Sequence, residues 1–83
     1  MDATRNKTGD VKAERPFSIH DGKGVRVQRF ASYGEAEKAA AAWCREKQAP
    51  VDVRRRRTHL ATALPQAGRA PLVEMTWAGS AYA

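Results

Sequence analysis

Polar and apolar residues alternate along Pro16 to His20, with Phe17 and Ile19 on one side and Ser18 and His20 on the other, as in a half-buried strand. Asp21-Gly22-Lys23-Gly24 follows as a turn whose glycines tolerate positive φ. Val25 and Val27 then alternate with Arg26 and Gln28, so the two runs predict a β-hairpin. Phe30 breaks the alternation, which predicts a bulge or a strand end that turns its ring inward. From Ser32 to Gln48 the period changes to that of a helix. Ser32 is a suitable N-cap, Glu35 completes a capping box, four consecutive alanines favour helix, and Pro50 ends the run. Ala36, Ala39, Ala40, Trp43 and Cys44 form its apolar stripe, with Lys47 at the end. Val51 and Val53 alternate with Asp52 and Arg54 in a third strand. Thr58 to Ala70 has no clean period: Leu60 and Leu64 suit one helical turn, whereas Pro65 and Gly68 suit a loop. Pro71 onward returns to a strand, with Val73, Met75 and Trp77 on one face and Leu72, Glu74 and Thr76 on the other.

The expected fold is α+β: one helix packed on a small, mainly antiparallel sheet of three to four strands, in the order ββαβ(β). The expected core is Phe17, Ile19, Val25, Val27, Phe30, Ala36, Ala40, Trp43, Val51, Val53, Val73, Met75 and Trp77. Residues 1–14 are polar and aperiodic and are expected to form a mobile tail. Residues 15–79 make the single domain, and 80–83 a frayed end. No apolar run approaches the length of a membrane span, and the first residues lack the apolar core of a secretory signal. The lone cysteine, Cys44, fits a reducing compartment, so a soluble cytoplasmic protein is expected.

Charge adds the functional signal. The net charge of +6 is concentrated in two stretches. Residues 1–32 carry seven basic and four acidic groups, and residues 50–57 carry four arginines against one aspartate. The helix and the C-terminal third are balanced. The pleat sends Arg54 and Arg56 to the sheet face away from the helix, beside Ser18, His20, Arg26 and Gln28. The candidate basic face is therefore Lys23, Arg26, Arg29, Arg54, Arg55, Arg56 and Arg57. Guanidinium groups bond phosphate bidentately, so this face suits DNA or RNA, or an acidic protein or nucleoprotein surface. Phe17, Phe30, Trp43 and Trp77 are assigned to the core, which leaves only Tyr33 and Tyr82 for base stacking. Phosphate contact without base readout is the expectation.

Catalytic and metal chemistry find little material. His20, His59 and Cys44 have no ligand spacing, so no metal and no cofactor is expected. Cys44 lies in the apolar stripe and reads as a small buried hydrophobe. The Asp21–Gly24 loop joins two strands rather than a strand and a helix, so it is a hairpin turn and not a phosphate loop. The chain is expected to be a non-enzymatic binding module.

The run Phe30-Ala-Ser-Tyr-Gly-Glu-Ala-Glu-Lys-Ala-Ala, preceded by a basic hairpin, resembles the AP2-like or arm-type DNA-binding domains of phage integrases. There an aromatic residue, a short cap and a Glu-Ala-rich helix start stand at the strand–helix junction, matched here by Phe30, Ser32, Glu35 and Ala36. It is also similar to compact strand–helix–strand proteins of phages, including some anti-CRISPR inhibitors. The resemblance covers about residues 16–54, and arm-type domains place their third strand before the helix, whereas this chain has strands after it. The first group implies a sheet that contacts DNA. The second implies a phage-encoded inhibitor of host defence that docks on an acidic protein surface.

Overall fold

The computed structural model describes residues 15–82. The order is β1 (Phe17–His20), β2 (Arg26–Phe30), α1 (Tyr33–Lys47), β3 (Val51–Arg55), β4 (Thr58–Gln66), β5 (Arg69–Met75) and a final 3-10 turn (Gly79–Tyr82). The strands form one antiparallel sheet in the order β2-β1-β3-β4-β5, and α1 lies across one face of it. The α+β architecture matches the expectation, with one strand more. The chain order is ββαβββ, because the stretch after Arg57 is the longest strand rather than a helical turn or loop.

The helix has the boundaries its sequence predicts. Ser32 caps it in an extended conformation and its Oγ accepts the Glu35 N–H at 3.3 Å. At the other end Gln48 takes the left-handed conformation (φ 54°), and its N–H donates to the Cys44 carbonyl at 2.7 Å. Tyr33, Ala36, Ala40 and Cys44 are the residues it buries. Small side chains on this stripe meet small side chains on the sheet, where Ala61 and Ala63 are fully buried beside Val51 and Val53. The helix therefore rests close on the sheet, leaving little room for larger residues at these positions.

Three register shifts explain most departures from strict alternation. Between β1 and β2, Arg26 pairs with His20 and Gln28 pairs with Ile19, so Val27 is the extra residue of a bulge. Beyond it, Phe30 pairs with Phe17 on the helix side, as the broken alternation suggested. Gln28 moves off the open face to lie opposite Ile19. Between β3 and β4, Arg54 pairs with His59 and Val53 with Ala61, which makes Leu60 the extra residue and lets both Leu60 and Ala61 be buried. The third shift lies near the β4–β5 turn. Pro65 is tolerated in β4 because β3 begins at Val51, opposite Ala63, and so does not reach it.

The core differs from the expected set at its edges. Val25 (59% exposed), Val27, Met75 and Trp77 (92% exposed) lie outside it, because the helix does not reach the outer edge of β2 and β5 ends before Trp77. Trp43, Phe30 and Val73 are partly buried against it. Leu60, Ala61, Ala63 and Tyr33 belong to it instead. The last residues, expected to fray, form the 3-10 turn as far as Tyr82. Its ring stacks on Tyr33 at 5.7 Å and meets Phe17 edge-on at 5.3 Å. Tyr33 and Tyr82 are thus packing residues, not free stacking surfaces. The expected tail at residues 1–14 lies outside the described residues.

Candidate anion-binding cleft

The sheet face away from α1 carries a cleft of about 660 Å³ at the end where β1, β2 and the β3–β4 turn meet. Arg15, Arg26, Arg29, Arg56 and Arg57 line it, together with Pro16, Ser18, His20 and Thr58, and no carboxylate is among the described lining residues. The arginines arrive from three separate segments: the residue before Pro16, β2 and the β3–β4 turn. Arg26 and Arg29 are three apart on β2 and would face opposite sides of a regular strand. The bulge at Val27 removes that conflict: Arg26 pairs with His20 and Arg29 pairs with Ser18, both across the open face.

Arg56 and Arg57 form the two-residue link between β3 and β4, with Arg55 paired to Thr58. Arg56 has φ 57°, in the left-handed region. Such a backbone costs a non-glycine residue about 1–2 kcal/mol, and tight hairpins of this length usually place glycine or asparagine there. The surroundings hold it nonetheless. The Arg56 N–H donates to the Pro16 carbonyl at 2.9 Å, which ties the turn to the segment carrying Arg15. Strained backbone of this kind is concentrated where a side chain must be presented in one direction.

Ser18 and His20 form the floor. Ser18 is only 6% exposed, and its Oγ lies 2.8 Å from His20 Nε2. The opposite ring nitrogen, Nδ1, is 3.4 Å from the Gly24 carbonyl. The ring is thereby oriented by β1 and by the hairpin turn together.

The other expected basic residues lie elsewhere. Arg54 is on the open face but turns to Asp52, with Nη2 3.3 Å from Oδ2, and its buried Nε finds no partner among the described residues. Asp52 also accepts the Thr62 hydroxyl at 3.1 Å, and His59 Nε2 lies 2.7 Å from that hydroxyl oxygen. This network gives the middle of the sheet a balanced polar surface, in contrast to the cleft. Arg55 is on the helix-bearing side, its guanidinium 5.9 Å from the Phe17 ring centre. Lys23 sits in the hairpin turn, where its N–H donates to Asp21 Oδ1 at 2.8 Å, and does not line the cleft. Arg54 and Arg56 thus both reach the open face, Arg54 through the pleat of β3 and Arg56 through the turn. Arg15 and Thr58 were not singled out from the sequence, since only the β1–β3 pairing brings residue 15 beside the turn.

Chemically, five guanidinium groups around one concave surface make a strong positive potential, and a cleft concentrates such a field. A guanidinium group carries paired N–H donors whose geometry matches two oxygens of a phosphate or carboxylate. Among the described residues no group of three or more His, Cys, Asp or Glu side chains could hold a metal ion. The thiol of Cys44 is fully buried, and desolvation raises its pKa, so it remains protonated at neutral pH. Also among the described residues, no helix is long and apolar enough to cross a membrane. No family model, curated protein or solved structure matches the chain, so the geometry alone supports a functional reading.

Proposed function

We propose that the chain is a small non-enzymatic module that binds the phosphate backbone of nucleic acid in the cleft between β1, β2 and the β3–β4 turn. The observation that carries this reading is the convergence of Arg15, Arg26, Arg29, Arg56 and Arg57 on one cleft. Linear runs of arginine on a surface serve solubility equally well. A concave cluster assembled from three separate segments, one of them held in a left-handed conformation, presents the charges to a single ligand. Phosphate groups follow one another along a nucleic acid strand at a spacing that can occupy several arginines at once, and such contacts position without reading sequence.

The test is titration of labelled DNA and RNA at several salt concentrations with wild type and with Arg26→Ala/Arg57→Ala. Each lost contact should lower the slope of log K against log salt by about 0.9 on duplex and about 0.7 on single strands. Unchanged binding by a folded double variant would remove the cleft as the site. If wild type binds no nucleic acid, and nuclease-treated lysate yields a protein partner lost in the same variant, the cleft serves an acidic protein surface instead, as in the anti-CRISPR-like reading.

A further inference from the structure

Trp77 is the largest side chain left without a partner in the fold, at 92% exposure. Its backbone is nonetheless firmly placed. Thr76 N–H donates to the Leu60 carbonyl at 2.8 Å, and the Ser80 hydroxyl donates to the Trp77 carbonyl at 2.7 Å. Gly79 N–H donates to Thr76 Oγ1 at 3.1 Å. An indole has only two rotatable side-chain bonds, so covering it with a flat ligand costs less conformational freedom than ordering a longer side chain. It lines a pocket of about 410 Å³ together with Arg55, Thr58, Leu60, Ala78 and Tyr82. Thr58 also lines the basic cleft, so the two concavities share a wall at the β3–β4 turn. Arg55, Arg56 and Arg57 are consecutive: the first borders the aromatic pocket and the next two border the cleft.

From this arrangement we infer that the ligand is single-stranded nucleic acid, whose phosphates lie in the cleft while one unpaired base stacks on Trp77 beside Arg55. The inference rests on the phosphate-binding reading above and narrows it. A duplex keeps its bases stacked inside and has none to place in the pocket, whereas a single strand exposes every base face. Aromatic stacking is sequence-tolerant and carries a large share of affinity where a cationic groove follows the strand. The guanidinium of Arg55 adds a cation beside the same surface.

The experiment compares three probes of the same length: single-stranded oligo(dT), an abasic single strand and a duplex. Anisotropy gives affinity, and the Trp43→Phe protein isolates Trp77 fluorescence. Oligo(dT) should bind more tightly than the abasic strand and should quench Trp77. Trp77→Ala should weaken oligo(dT) binding about tenfold, leaving abasic binding and the salt slope unchanged. Arg26→Ala/Arg57→Ala should weaken all three. If Trp77→Ala binds oligo(dT) like wild type while the arginine variant does not, the stacking inference is overturned and the phosphate cleft stands. Duplex binding as tight as single-strand binding, without quenching, overturns it equally. If the arginine variant also binds like wild type, the phosphate reading itself has failed.

Discussion

Ser18 and His20 stand two residues apart on β1, and the 2.8 Å contact between Oγ and Nε2 fixes an imidazole on the floor of a cleft walled by arginine. The contact exists because both side chains fall on the open face of a central strand, with Arg29 opposite Ser18 on one side and Arg54 on the other. Ser18→Ala removes a buried hydrogen bond and should cost about 1 kcal/mol, measured by urea unfolding. His20→Ala should be no more destabilising than that. A cost several times larger for His20→Ala would mean that the ring is part of the core and not the floor of a site.

The close approach of helix and sheet gives a packing prediction. Ala40 is fully buried over a surface that includes Ala61 and Ala63. Ala40→Leu should destabilise the domain by about 1–3 kcal/mol through overpacking, while the same change at exposed Ala42 should have little effect. Equal stability of the two variants in denaturant melts would contradict the placement of the stripe.

The C-terminal turn depends on a glycine. A Cβ on Gly79 would run into the backbone carbonyl of Leu60, which cannot swing aside because it accepts the Thr76 N–H. Gly79→Ala should therefore lower stability and loosen Tyr82 from Tyr33 and Phe17, seen as faster hydrogen exchange over residues 76–82. Gly34→Ala, where nothing lies near the added carbon, is the matched control and should be neutral or stabilising.

Much of this fold was legible in the sequence because its signals are local. The cap at Ser32, the alanine run and the stop after Gln48 act within a few residues of one another, and the helix has those bounds. The β1–β2 hairpin is equally local. What could not be read depended on pairing between distant segments. Leu60 and Ala61 share a face only because a bulge accommodates Leu60 against β3, so a period-two search over Thr58 to Gln66 fails. Trp77 follows the alternation of Val73 and Met75, yet β5 ends at Met75 and the indole is left outside. The arginine run pointed to a basic surface, and Arg56 and Arg57 of that run line the cleft. Which arginines share it was set by a bulge at Val27 and a bond from Arg56 to Pro16, neither of which has a signature in the local sequence.

Two buried acids give a pH dependence. Desolvation raises the pKa of Cys44, and desolvation followed by the neighbouring Glu37 carboxylate raises that of Tyr33. Both groups are neutral when protonated, so the folded state holds these protons more tightly than the unfolded chain. The stability they contribute is complete at neutral pH and is lost as pH rises from the ordinary thiol and phenol values through the raised folded-state values. Urea midpoints should fall between neutral pH and strongly alkaline pH, and Cys44→Ala should show a weaker alkaline decline. A thiol reagent should modify Cys44 only as fast as the protein opens. Rapid modification of the folded protein at neutral pH would contradict its burial.

The β3–β4 turn holds Arg56 in the left-handed region at the edge of the cleft, and Arg56→Gly is the substitution on which the phosphate-binding reading turns. Glycine accepts φ 57° without penalty and removes one charge. Urea unfolding and nucleic-acid titration on the same preparation give both readouts. The account predicts stability at least equal to wild type, with weaker binding and a shallower salt dependence. Binding indistinguishable from wild type at every salt concentration, in a protein that is no less stable, would contradict it.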